Sequence, residues 1–263
     1  MTDQLGPYLL GPNDEDQGIY AGDVRDLLPQ VPSESVDVVV TSPPYNLGSR
    51  YANQGDSAIQ GKWSKVIQYD EYQDNMPEDE YREWQRETIS ELWRIIKPTG
   101  AIFYNHRPRI QKGVAWHRFD MIPDNVKLRQ VIIWKRPKGH NFNRGYFVPS
   151  YEWIFLIAKE QYELAPGANG LSDVWTFSPE MGSEHSAPFP IDLPFRAIES
   201  SAHCHIVFDP FIGSGTTAEA AIRLGKQILG FELIPRWAER SREIVRNTQP
   251  PLFVMEPEQE EGL

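Results

Sequence analysis

The chain has 263 residues, 40% of them hydrophobic and 24% charged, and a formal net charge of −11. That length buries a substantial core without staples, and one cysteine excludes a disulfide framework and any Cys/His spacing typical of a zinc site. The sequence has no apolar run long enough to span a bilayer, and its N-terminus has neither a basic n-region nor an apolar h-region; a cytoplasmic protein without membrane contact is expected.

Residues 1–17 read as an N-terminal extension, 18–249 as one domain and 250–263 as an acidic tail expected to be disordered. Within the domain, 18–158 forms a first half, 159–184 an irregular segment and 185–249 a second half. Residues 18–23 read as a short strand ending on Gly22-Asp23. Residues 36–41 form a β-branched apolar run suited to a buried parallel strand. Residues 46–75 show no periodicity and many polar residues, the mark of a functional or disordered segment.

The clearest helix spans 77–97, where Tyr81, Trp84, Thr88, Leu92 and Ile95/Ile96 share one face. Pro77 suits its first turn, and Glu78, Asp79 and Glu80 sit at the positive end of its dipole. Lys97-Pro98-Thr99-Gly100 is expected to stop it. Strands follow at 101–105, 128–134 and 152–158, with a basic, aromatic loop over 135–150. Residues 161–186 look irregular apart from a short strand at 173–177. The remainder alternates: helix 191–202, strand 205–209, helix 216–224, strand 227–231, helix 235–246. Such alternation predicts an α/β fold with a doubly wound, mostly parallel sheet.

Two segments carry chemistry. Asp209-Pro210-Phe211-Ile212-Gly213-Ser214-Gly215-Thr216-Thr217 lies between a strand and a helix, where glycines let the backbone turn tightly and approach a ligand. No Lys follows the glycines, so it is not a P-loop. The next strand ends in Glu232, an acid placed to accept bonds from ribose hydroxyls. The second segment, Thr41-Ser42-Pro43-Pro44-Tyr45-Asn46, leaves the strand at 36–41. Its two prolines stiffen the turn and remove two N–H donors, so carbonyl oxygens point into a cleft without adjacent donors. Ser42 Oγ and the Pro43 carbonyl suit the two hydrogens of an amino group on a planar base, and Tyr45 offers a stacking face.

T-S-P-P-Y-N resembles motif IV of the amino-group DNA methyltransferases, and D-P-F-I-G-S-G-T-T resembles their motif I, which binds S-adenosyl-L-methionine. His185-Ser186-Ala187-Pro188-Phe189-Pro190 resembles motif X, Phe231-Glu232 motif II and Gly22-Asp23 the motif III position. The order, motif IV first and motif I last, marks the circularly permuted β class, and the resemblance covers 19–246. It implies a Rossmann-like methyltransferase sheet of seven strands. It also implies cofactor roles. Asp209, Gly213 and Gly215, with Pro210 and Phe211, cradle the methionine part. Thr216 and Thr217 bind its carboxylate, Glu232 the ribose, Asp23 the adenine side, and His185, Phe189 and Pro190 close the methionine side. Ser42, Pro43, Pro44 and Tyr45 are the implied catalytic set. No metal is expected: His203 and His205 flank Cys204 on a strand and splay apart. Methylation at cytosine C5 needs a thiolate, and Cys204 reads as a buried small hydrophobe, which leaves an exocyclic nitrogen as the acceptor.

The implied substrate is double-stranded DNA with the target base flipped out. In this family Asp-Pro-Pro-Tyr is usual for N6-adenine enzymes and Ser-Pro-Pro-Tyr for N4-cytosine enzymes. Ser42 therefore favours N4-cytosine, with N6-adenine as the alternative, and an inactive DNA-binding relative or an RNA methyltransferase behind both. The net charge of −11 argues on its face against nucleic acid, but it is unevenly laid out. Between Arg94 and Arg144 twelve Lys/Arg face two acids, a block of +10 against −21 elsewhere. Expected DNA contacts are Arg50 in the 46–75 loop, Arg107 and Arg109 in 107–118, and Lys135, Arg136, Lys138, His140, Asn143 and Arg144 in 135–150. A separate cognate restriction endonuclease is a possible partner, and both monomer and homodimer stay open.

Overall fold

A computed structural model describes residues 18–46, 75–111, 114–136, 144–177 and 190–251. The first half runs β1 (Ile19–Ala21), α1 (Val24–Leu27), β2 (Val36–Thr41), α2 (Glu78–Ile95) and β3 (Ile96–His106). A hairpin follows, β4 (Arg109–Gln111) and β5 (Val114–Trp116), then β6 (Leu128–Lys135), β7 (Tyr151–Ala158) and β8 (Val174–Thr176). The second half is α3 (Asp192–Glu199), β9 (Ile206–Asp209), α4 (Thr216–Arg223), β10 (Gln227–Glu232) and α5 (Pro235–Asn247). No helix among the described residues is long and apolar enough to cross a membrane.

The main sheet has the order β1-β10-β9-β2-β3-β7-β6-β8. Its ladders are parallel from β1 through β3, antiparallel on both sides of β7, and parallel again between β6 and β8. The doubly wound, mostly parallel architecture is thus present, but the sheet has eight strands where seven were expected. The eighth is β8, a three-residue edge strand paired with β6 at Ile133↔Val174. Its middle residue, Trp175, is buried and stacks on Phe103, which anchors so short a strand.

Alternate residues of each central strand feed opposite faces. Val39, Ile102, Tyr104, Phe155, Phe208 and Phe231 pack with Tyr81, Ile89, Leu92 and Ile95 of α2. Val38, Val40, Phe103, Ile154 and Val207 pack with Leu193, Ala197 and Ile198 of α3 and Ala220 and Ala221 of α4. Period-two burial on strands between two helical layers is what a doubly wound fold requires.

Two local expectations are corrected. The helix expected over 77–97 ends at Ile95, and Lys97-Pro98-Thr99-Gly100, expected only to stop it, already belong to β3. The register between β2 and β3 shifts between Val36 and Val38, and that irregularity accommodates Pro98. Lys97 is held there by Asp37, with Nζ 2.8 Å from Oδ1. The 107–118 segment is not a plain loop: it holds the β4–β5 hairpin, with Arg109 opposite Trp116.

Candidate functional site

From β9 the chain crosses through α4 to β10 on one side, and from β2 through α2 to β3 on the other, while β9 and β2 lie adjacent. That is a topological switch point, where a crevice opens at the carboxyl ends of the strands. A cleft lies there. One wall is Ser42 and Pro44 after β2, with Met76 and Trp84 beside them. The other is Pro210, Phe211 and Gly213 after β9 and Glu232 to Ile234 after β10. Gly22, Asp23 and Trp237 complete it. Its mixed apolar and acidic lining suits a nucleoside-bearing ligand.

The two predicted segments are bolted together. Thr41 Oγ1 donates to Asp209 Oδ1 at 2.7 Å, Thr217 Oγ1 donates to Oδ2 at 2.6 Å, and Phe211 N donates to Oδ1 at 3.0 Å. Asp209 is 1% exposed, so it and Thr217 brace the loop beneath the cleft and do not line it. Gly213 and Gly215 take φ of 54° and 94°, the left-handed region that glycine tolerates. A Cβ on Gly215 would also stand 3.1 Å from Ser241 of α5, while Ser241 Oγ donates to the Gly213 carbonyl at 2.7 Å.

Burial pushes the Asp209 carboxyl up from the ordinary 3.8 to about 6, against the pull of its three donors. The folded chain therefore holds this proton more tightly than the unfolded one. Its contribution to stability is full below about pH 4 and is lost as pH rises to about 6. Asp209→Asn removes that dependence. Its stability relative to wild type should be about 3 kcal/mol more favourable at pH 8 than near pH 4, as read by urea denaturation at both pH values. A constant difference across that range contradicts the assignment.

Glu232 accepts from Gly213 N at 3.0 Å through Oε2 and from Ile234 N at 2.9 Å through Oε1. Burial raises its pKa. Each oxygen keeps a second lone pair for a donor in the cleft, so the carboxylate can hold a diol while fixing both loops. Asp23 caps α1 through Arg25 N at 2.9 Å and pairs with the Arg25 guanidinium, whose hydrogen bond holds its carboxyl below the usual range.

On the β2 wall, Tyr45 is 9% exposed and its hydroxyl turns inward. It lies 2.6 Å from Ser42 Oγ, donates to Glu152 Oε2 at 3.1 Å and accepts from Asn105 Nδ2 at 2.7 Å. Asn105 Nδ2 also donates to Glu152 Oε2 at 3.0 Å, and Arg136 pairs with Glu152 Oε1. Tyr81 of α2 donates to the Pro44 carbonyl at 2.6 Å, with His106 Nε2 2.8 Å from the same hydroxyl. Burial and the neighbouring Arg118 charge push His106 down to about 3, so its ring is neutral. Cys204 is buried outside the cleft lining, and burial pushes its thiol up to about 12, which leaves no thiolate nucleophile.

Of the expected site residues, Ser42, Pro44, Asp23, Pro210, Phe211, Gly213 and Glu232 line one cleft. Pro43 and Tyr45 are buried behind it, and Gly215, Thr216 and Pro190 do not line it. Arg50, Lys138, His140, Asn143, His185 and Phe189 lie outside the described residues. Lys135 and Arg144 are exposed and Arg107 half-buried. Arg109 pairs with Glu78 and Arg136 with Glu152. Sequence reasoning missed Asn105, Tyr81, Glu152, Met76, Trp84 and Trp237. One signal was available: Glu152 is the lone acid in the apolar run Tyr-Glu-Trp-Ile-Phe-Leu-Ile-Ala.

A family model described as DNA methylase matches residues 36–243. The Type II methyltransferase M.BglII of Bacillus subtilis is 29% identical over 86% of this chain and 68% of its own length. The Type II methyltransferase M2.MboI of Moraxella bovis is 27% identical over 95% of this chain and 94% of its own. Among solved structures, the cytosine-N4-specific PvuII DNA methyltransferase superposes with a TM-score of 0.67 at 20% identity, covering 86% of this chain and 85% of that one. M1.HpyAVI in complex with S-adenosylmethionine superposes at 0.55 with 18% identity, covering 86% and 98%.

Proposed function

This chain belongs to the DNA methylase family of N6/N4 amino-methyltransferases, and from that premise we propose that it methylates the N4 amino group of a flipped-out cytosine in duplex DNA. One observation carries the reading: Ser42 and Pro44 face Gly213 and Glu232 across a single cleft at the switch point. S-adenosyl-L-methionine, when bound, supplies an electrophilic methyl group. Glu232 would hold its ribose, Asp23 its adenine side and the Gly213 loop its methionine end.

The Ser42 loop does the rest. An aromatic amine is a poor nucleophile because its lone pair is delocalised into the ring. Ser42 Oγ, in the cleft wall, and the Pro43 carbonyl behind it would accept its two hydrogens and favour a pyramidal nitrogen with a localised lone pair. Catalysis is then positioning and preorganised electrostatics. A base within a duplex cannot enter such a cleft, so the base is flipped. Lys135, Arg144 and Arg107 would position phosphates. The relatives named Type II methyltransferases support a restriction–modification setting, in which a cognate endonuclease would be a separate partner.

Cytosine is favoured because Ser42 is a neutral acceptor and cytosine has the smaller ring. The similarity to a cytosine-N4-specific enzyme points the same way. Nucleoside mass spectrometry of DNA from cells expressing the protein should show N4-methylcytosine. N6-methyladenine alone would overturn the base assignment and leave the family reading intact.

A further inference from the structure

We infer that Glu152, 107 residues from Tyr45 in sequence, is a positioning residue that turns Ser42 into an acceptor without a free hydrogen, acting through the Tyr45 hydroxyl. This rests on the proposed amino-methyltransferase reaction. With Glu152 as the terminal acceptor, one direction satisfies every contact in the chain. Glu152 is 4% exposed and, as a carboxylate paired with Arg136, only accepts. Tyr45 lies 3.1 Å from its Oε2, so the phenolic hydrogen occupies that gap. With that hydrogen spent, the 2.6 Å contact between Ser42 and Tyr45 requires the Ser42 hydrogen. Ser42 therefore donates to Tyr45, and Tyr45 donates to Glu152. Asn105 braces the junction: its two amide hydrogens serve Tyr45 at 2.7 Å and Glu152 at 3.0 Å, while Ser42 lies farther off at 3.4 Å. Burial, with the Glu152 charge, holds the Tyr45 phenol far above its ordinary range, so it stays a donor.

The consequence lies in the cleft. A hydroxyl free to rotate can donate its hydrogen to an incoming amine, and that bond would engage the lone pair the reaction needs. With its hydrogen drawn away towards Glu152, Ser42 Oγ presents lone pairs only. The buried carboxylate polarises the chain in the same direction, since hydrogen bonds in series strengthen one another. A neutral serine is thereby given part of the acceptor character of a carboxylate.

The test is single-turnover transfer of labelled methyl from saturating S-adenosylmethionine to unmodified genomic DNA, which scores any base. Glu152→Gln and Tyr45→Phe should each slow the chemical step about 10–100-fold. The Kd for S-adenosylmethionine should stay near wild type. Because both act through one chain, the double variant should be no slower than the slower single one. Losses that multiply, or an affinity that falls with the rate, would overturn the relay in favour of general packing roles. If Glu152→Gln does not fold, Tyr45→Phe decides alone, since it keeps the ring and removes only the hydroxyl. A rate within twofold of wild type then sinks the proposal. Wild-type protein that transfers no methyl to DNA overturns the underlying reaction, and the relay with it.

Discussion

Ser42→Ala should lower the single-turnover rate of methyl transfer by about 10²–10³-fold and leave the Kd for S-adenosylmethionine within about twofold. Ser42 stands at the end of β2, where the sheet is held by other groups: Thr41 locks to Asp209, and Tyr81 of α2 holds the Pro44 carbonyl. Removing one Oγ therefore leaves the backbone of the loop in place. What is lost is the side-chain acceptor for one amino hydrogen, and with it half of the pull that localises the nitrogen lone pair. The cost exceeds that of breaking the Glu152 relay, because the relay orients the acceptor whereas the substitution deletes it. A rate within tenfold of wild type at saturating DNA would remove Ser42 from the catalytic set.

The parts of the fold legible in the sequence are those set by local rules. β2 is a continuous β-branched run and occupies Val36–Thr41 as expected. α2 shows its expected buried stripe at Tyr81, Thr88, Leu92 and Ile95. Both cleft segments announce themselves through Pro and Gly, whose backbone chemistry is readable one residue at a time. What failed depends on distant partners. Pro98 signals a break, and only the irregular pairing with β2 makes it tolerable inside β3. β5 has three exposed residues, so no apolar alternation marks it.

The charge block is only partly legible for the same reason. Much of the +10 between Arg94 and Arg144 serves the fold: Lys97 on Asp37, Arg109 and Arg118 on Glu78, Lys127 on Glu160 and Arg136 on Glu152. A count of cations in a segment cannot tell a phosphate contact from an ion pair, since the acids that answer them come from other segments. The block still places Lys135 and Arg144 at the surface. Among the described residues, the cations left for phosphate contacts are therefore fewer than a count along the sequence suggests.

Glu232→Ala should raise the Kd for S-adenosylmethionine by about 10²-fold or more, measured by isothermal titration. Two losses combine. The carboxylate's proposed bonds to the ribose hydroxyls go, and Gly213 N and Ile234 N lose the acceptor that holds both loops at the cleft. A buried donor left without a partner costs about 1–3 kcal/mol, and a bond to a charged group contributes about 1.5–3 kcal/mol. Glu232→Gln keeps one oxygen but sets an N–H donor against one of the two backbone donors, so its affinity should fall between Ala and wild type. The chemistry itself should survive, because Ser42 stands just after β2 and faces the β10 wall only across the cleft. Raising S-adenosylmethionine to saturation should return Glu232→Ala to within about tenfold of the wild-type rate, whereas no concentration rescues Ser42→Ala. A Glu232→Ala rate that stays low at saturation would mean that the β10 wall also shapes the reacting geometry, and the division of the cleft into a binding wall and a chemical wall would fail.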